Sequence, residues 1–211
     1  GPLAGWMIME KPSPLADLQN TKGIAERMSA RGEVLTALNE DSARDAVQAL
    51  LDANVESITI SLLHAYANPS HERQLKSIIQ SLAPNMPVSV SSEILPEFRE
   101  YERTLVTVMN AYVRPAMRNY LANFEAKLGE LHFKPTVNIV RSDGGLMSVQ
   151  RAADSPVYTM LSGPAGGVSG AAFVSGLAGH PNALGFDMGG TSTDVSLIQN
   201  GEPTISRQTS L

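Results

Sequence analysis

The residues best suited to chemistry lie close together in Asp187-Met-Gly-Gly-Thr-Ser-Thr-Asp194. One aspartate closes a strand-like segment, Ala183 to Asp187, and the other opens a second, Asp194 to Ile198. Two glycines and three hydroxyl residues stand between them. This combination suits a nucleotide phosphate. Gly189 and Gly190 can take up positive φ and, having no Cβ, let phosphate oxygens approach backbone N–H groups. Thr191, Ser192 and Thr193 add hydroxyl donors. Asp187 can hold a magnesium ion through its waters, because magnesium keeps most of its hydration shell. Asp194 can orient an attacking water or the metal shell. The alternative is a tight hairpin whose glycines serve only the turn. Two bounding aspartates with strand patterns outside them favour phosphate.

Other segments offer less. Gly163-Pro-Ala-Gly-Gly167 opens a small-residue helix, and Gly166 and Gly167 there are candidate anion contacts through free N–H groups and the helix dipole. Close helix–sheet packing would use the same small residues. Asp143-Gly-Gly145 follows a strand, where ligands often meet an open α/β sheet, and is equally a plain turn. Arg99 and Arg103 are four apart and could face a substrate carboxylate together; the ordinary reading of Glu97 to Arg103 is a solvated face with internal ion pairs. The four histidines, His64, His71, His132 and His180, do not cluster in sequence and read as solvated or singly bonded rather than as metal ligands.

These residues need a scaffold, and the hydrophobic pattern outlines one. Residues 1–32 have no clear period and, with Pro12 and Pro14, read as an extended lead-in. Gly32 to Thr36 reads as a strand. Asp41 is placed to cap a helix with Ala43, Ala46, Val47, Leu50 and Leu51 on one stripe, and Asn54 to end it in a left-handed turn. Ser57–Leu63 and Val88–Ser92 read as buried strands. Between them lies a helix starting at Asn68-Pro69, proline at its first position, with Leu75, Ile78, Ile79 and Leu82 inward. That is a βαβ unit, so the two strands are expected parallel. A long periodic stretch from Tyr101 to Leu128 contains Pro115, which predicts a kink or two consecutive helices; its Met and Tyr residues read as core. Thr136–Ser142 returns to strand, and a helix runs from the glycine-rich entry to about Leu177. Asn200-Gly201 signals a hairpin turn. A new strand is expected to open as the sequence stops at Leu211. The organisation read from this is 1–32 lead-in, 33–160 α/β region, and 161–211 glycine-rich helix with the start of a second domain.

Bulk composition narrows the class. The 211 residues are 43% hydrophobic and 18% charged, as in ordinary globular proteins. A net charge of −5 argues against nucleic-acid or anionic-membrane binding. No apolar run approaches the ~20 residues a membrane helix needs. With no cysteine, disulfides, thiolate catalysis and cysteine-based zinc sites are excluded. The first residue is Gly1 rather than Met, so a piece of a longer chain is expected.

The hairpin resembles the second phosphate loop of the actin-like ATPase superfamily. Three further segments narrow the resemblance: Ser91-Ser-Glu-Ile-Leu-Pro-Glu-Phe-Arg-Glu-Tyr-Glu-Arg103, Arg141-Ser-Asp-Gly-Gly-Leu-Met-Ser148 and Leu161-Ser-Gly-Pro-Ala-Gly-Gly-Val168. Together, and in this order, they are similar to the hydantoinase/oxoprolinase family over roughly residues 33 to 201. The resemblance implies an α/β fold with a mixed or mostly parallel sheet flanked by helices, part of an actin-like ATPase (ribonuclease H-like) architecture. It implies a cytoplasmic enzyme using ATP and Mg2+ to open a cyclic amide of hydantoin or 5-oxoproline type by phosphorylating its carbonyl oxygen. A small-molecule kinase, a carboxylase subunit and a non-catalytic binding module are the alternatives. A second, hydantoinase B-type subunit or domain is the implied partner, besides the remainder of the chain itself. Members also carry an early Asp-x-Gly-Gly-Thr loop, and none precedes position 187 here. One side of a two-hairpin nucleotide clamp is therefore expected, inactive by itself.

Overall fold

The computed structural model describes residues 13–133, 135–190 and 192–204. Pro12 and the strand anticipated at Leu211 lie outside them. The chain divides into two compact units, 1–113 and 114–211.

In the first unit, two short strands, β1 (Arg27–Met28) and β2 (Val34–Thr36), pair antiparallel. Helix α1 (Glu40–Asp52) follows. Its cap is Asn39, whose side chain accepts from Ser42 N–H at 2.8 Å. Asp41, the expected cap, instead sits in the first turn, where its charge favours the helix dipole. Asn54 closes the helix with φ 56°, the left-handed turn anticipated. Strands β3 (Ile58–Ile60) and β4 (Val88–Val90) pair parallel, Ile58 opposite Val88, with α2 (Ser70–Leu82) as the crossover. Pro69 is the N-cap of α2 rather than its first helical residue, and Asn68 Oδ1 takes the Ser70 N–H at 3.0 Å.

Leu75, Ile78 and Ile79 pack with Val47, Ile58, Ile60, Val88 and Val90 in one core, as the βαβ reading requires. Full burial of each such side chain is worth roughly 1.5–3 kcal/mol. A single helical turn, α3 (Ser91–Ile94), then leads to α4 (Glu100–Glu130).

α4 is one helix with Pro115 inside it, not two. Its aromatic residues correct the sequence reading: Tyr101, Tyr112 and Tyr120 are exposed. The buried positions of its first half are Arg103, Thr107, Asn110 and Ala111. That spacing is helical, but the face is largely polar, which is why apolar periodicity did not find it. Polar partners receive it: Asn110 donates to Ser89 Oγ at 3.0 Å, and Thr104 and Ser61 hydroxyls meet at 2.6 Å.

In the second unit, β5 (Asn138–Val140) and β6 (Leu146–Ser148) form a hairpin. Ser148 caps α5 (Val149–Asp154) by accepting the Arg151 N–H. Met147, Val149, Ala152 and Leu121 form a small core. Helix α6 (Ser162–Leu177) follows Leu161, which takes a left-handed conformation. Strands β7 (Ala183–Met188), β8 (Thr193–Gln199) and β9 (Glu202–Pro203) complete an antiparallel sheet. Asn200 and Gly201, both at positive φ, make the tight turn between β8 and β9.

Gly185 lies where α6 meets the sheet: a Cβ there would stand 3.5 Å from Ala171 and would collide with Ser196 Oγ. Alternation places Leu184, Phe186 and Met188 on the other face, beside Val195 and Leu197. All five are exposed, Leu184 at 72%. The α/β class is as expected. Parallel pairing, among the described residues, is confined to β3 and β4.

Candidate active site

The ladder between β7 and β8 sets Asp187 directly opposite Asp194 and Met188 opposite Thr193. Cross-strand partners share a face, with Cβ atoms about 4.5–5.5 Å apart. The two carboxylates therefore stand side by side at the mouth of the hairpin. Both are exposed, and among the described residues neither has a basic partner. Like charges directly opposite destabilise a ladder unless a cation joins them.

The turn is closed by Gly189 N–H donating to Ser192 C=O at 2.9 Å. Neither Gly189 nor Gly190 uses positive φ. Their glycine character serves space instead. A Cβ on Gly190 would meet no described atom within 4 Å, so this part of the hairpin is open to an incoming group. Ser192 and Thr193 are exposed beside it; Thr191 lies outside the described residues.

Such a donor set fits hydrated magnesium bound to phosphates. Among the described residues no three His, Asp or Glu side chains gather around one point, so an all-protein metal cage is not on offer. Two carboxylates with hydroxyls and open backbone are what a water-rich ion requires. Asp187, with Asp194 beside it, would hold that shell.

Helix α6 approaches the same aspartate. A Cβ on Gly167 would lie 3.2 Å from Asp187 Oδ2, and one on Gly166 would lie 3.8 Å from Val140 Cγ1. With the helix beginning at Ser162, the amides of Gly166 and Gly167 fall beyond its first turn. There N–H groups are taken by the helix's own i→i−4 bonds. The uncapped amides belong to the residues before them, and no side chain caps that end.

The Asp143 segment is a turn. Gly144, at φ +81°, supports it, and a Cβ there would lie 3.3 Å from Ser169 Oγ of α6. Asp143 accepts from Gly145 N–H at 3.0 Å and pairs with Arg141 at 2.6 Å. The Gly145 N–H, then the Arg141 charge, outweigh partial desolvation and hold its carboxyl below the usual value. For Asp154, burial pulls upward, but the Gln150 and Arg114 contacts outweigh it and the net shift is downward.

Arg99 and Arg103 do not form a pair. Arg99 is on the surface, 3.4 Å from Glu102. Arg103 is fully buried and donates to Ser91 Oγ (3.1 Å), Glu97 C=O (2.7 Å) and Leu62 C=O (2.9 Å). Ser91 Oγ in turn donates to Glu72, also fully buried, which takes Leu62 and Ser92 N–H as well. Sequence reasoning missed this network, and an arginine and a glutamate 31 positions apart carry no spacing signal. His71 Nδ1 meets Glu26 Oε2 at 2.7 Å.

Comparison with known proteins fixes what this arrangement belongs to. The structure of nucleotide-free acetone carboxylase superposes with TM-score 0.82 at 34% identity, covering 95% of this chain and 28% of that one. The ATP-dependent caprolactamase of Pseudomonas jessenii gives 0.77 at 31%, covering 83% and 26%. The fold is thus that of the actin-like ATPase type of α/β protein.

The family model for hydantoinase/oxoprolinase matches residues 103–211, and that for the hydantoinase/oxoprolinase N-terminal region matches residues 5–83. The chain belongs to the hydantoinase/oxoprolinase family. The 5-oxoprolinase of Saccharomyces cerevisiae is 37% identical over 85% of this chain and 14% of its own length. The chain spans less than a third of the length of the relatives it matches.

Proposed function

We propose that the whole polypeptide is an ATP-dependent cytoplasmic amidohydrolase opening a cyclic amide of hydantoin or 5-oxoproline type. These 211 residues contribute one phosphate hairpin to it. The observation that carries the reading is the exposed pair Asp187 and Asp194 across the mouth of the hairpin, without a basic partner among the described residues. Magnesium-ATP, when bound, supplies the phosphoryl group that makes an amide oxygen a good leaving group. Asp187 would accept hydrogen bonds from the waters of a bound magnesium ion. Asp194 orients a water on the same face. Gly190 keeps the turn clear for phosphate, and the Thr193 and Ser192 hydroxyls add donors. A hydantoinase B-type subunit or domain completes the enzyme. The names of two relatives, caprolactamase and 5-oxoprolinase, support a cyclic amide.

A carboxylase subunit is the second reading, favoured by the likeness to acetone carboxylase. Both use one test. The full-length protein with its partner subunit is given ATP, magnesium and either 5-oxoproline, hydantoin and caprolactam, or a small ketone with bicarbonate. ATP consumption that depends on a cyclic amide and is lost in Asp187→Asn is the expected result. Ketone-dependent consumption would replace it with the carboxylase reading, and a stable phosphorylated product with a kinase. The 211-residue chain alone is expected to turn over neither ATP nor amide, because catalytic positioning needs both sides of the cleft.

A further inference from the structure

The glycines of α6 are not equivalent. At Gly163, Gly170 and Gly176 a Cβ would meet no described atom within 4 Å. At Gly166 it would make an ordinary contact, 3.8 Å from Val140 Cγ1. At Gly167 it would stand 3.2 Å from Asp187 Oδ2, closer than a carbon and a carboxylate oxygen ordinarily sit. Gly167 also lies past the first helical turn, so its N–H is used inside the helix. Neither φ nor amide availability explains glycine at this position. The space it leaves does.

We propose that Gly167 is a positioning residue for Asp187: its missing side chain leaves the volume in which the carboxylate is held as α6 packs on β7. The inference rests on Asp187 serving the magnesium–phosphate site. It gives Gly167 a role different from direct nucleotide contact. A methyl group at 167 would displace the carboxylate by a few tenths of an ångström or rotate it. Magnesium demands near-ideal geometry of its shell, so a small displacement of a carboxylate that orients its waters is felt as weaker binding. A 1 Å misplacement can cost about 100-fold, so a few tenths should cost about 3- to 10-fold.

Helix propensity makes the effect separable. Alanine favours a helix interior over glycine, so substitution at 167, 170 or 176 should leave thermal stability unchanged or raised unless something collides. The experiment uses the full-length enzyme and the variants Gly170→Ala, Gly176→Ala, Gly167→Ala, Asp187→Asn and Gly167→Ala with Asp187→Asn. Thermal unfolding without ligand is compared with calorimetric binding of a non-hydrolysable ATP analogue across a magnesium titration. The expected result is wild-type binding for the first two. Gly167→Ala should need about 3- to 10-fold more magnesium at unimpaired stability. It should have no further effect once Asp187 is Asn.

Wild-type magnesium dependence in Gly167→Ala overturns the inference, as does a loss of equal size in the Asp187→Asn background. If Gly167→Ala does not fold, adding Asp187→Ala must restore folding; a double variant that stays unfolded also overturns it. Wild-type binding by Asp187→Asn itself defeats the phosphate-hairpin reading and the inference with it, a result distinct from failure at 167 alone.

Discussion

Each unit of the chain places acidic side chains near strand ends, and treats them in opposite ways. In the first, Glu72 sits beyond the carboxyl ends of the parallel strands. It is fully buried, with three donors and Arg103 one hydroxyl away. In the second, Asp187 and Asp194 stand exposed, face to face, with no basic partner among the described residues. A fully buried carboxylate with both oxygens engaged by the protein is closed to a ligand, and its business is holding β3, β4 and α4 together. A pair of carboxylates left facing each other in water has capacity and a standing reason to take up a cation. The contrast separates structural from functional acids without any appeal to residue type.

Removing Arg103 attacks the first half of this contrast most directly. Arg103→Ala should destabilise the first unit by roughly 2–5 kcal/mol, since it empties a buried site and takes the guanidinium donors from Ser91 Oγ and the Glu97 and Leu62 carbonyls. Chemical denaturation followed by circular dichroism reads this; a change below about 1 kcal/mol would mean that the network is ordinary surface electrostatics. Asp187→Asn tests the other half. It should lower turnover of the full-length enzyme about 10²- to 10³-fold, equivalent to roughly 3–4 kcal/mol. The unfolding midpoint should not fall, because the side chain is exposed and its neutralisation relieves the repulsion from Asp194. Coupled loss of activity and fold in that variant would place Asp187 with Glu72 among the structural acids.

Apolar residues repeat the comparison. Ile58→Ala in the first core should cost about 2–5 kcal/mol. Phe186→Ser on the open face of the second sheet should stay within about 0.5 kcal/mol in the 211-residue chain. Equal costs, measured by thermal unfolding, would erase the distinction.

The smallest effect concerns pH. Asp143 and Asp154 have folded-state values below their ordinary ones. Their contributions are therefore complete above the unfolded carboxylate value and are lost as pH falls through the lower, folded one. Asp143→Asn should therefore lower stability slightly at neutral pH and flatten the acid limb, so that the two proteins converge as pH falls. A difference between the two proteins' unfolding midpoints that stays constant from neutral to acid pH, or no difference at any pH, would remove Asp143 from the account.

How much of this was legible in the sequence depended on whether a signal was local. The hairpin could be read because both aspartates, both glycines and both strand patterns fall within a few residues. The βαβ unit could be read because Leu75, Ile78 and Ile79 repeat at helical spacing between two β-branched runs. The buried face of α4 could not, because Arg103, Thr107 and Asn110 look solvent-facing until their partners, Ser91 and Ser89, arrive from other elements. β1, with two residues, is too short to show a period. The roles of Gly189 and Gly190 were misread in part, since glycine advertises both positive φ and missing volume, and only coordinates tell which is used.

The open face of the second sheet has a practical consequence for anyone handling the chain. Leu184, Phe186, Met188, Val195 and Leu197 form one exposed apolar surface. What opposes contact between two copies is a net charge of only −5 spread over 211 residues. Added salt screens that repulsion within about 10 Å at 0.1 M and leaves the apolar attraction intact. Solubility should therefore fall as ionic strength rises, and dilute, low-salt buffer is the condition under which this piece remains a single particle.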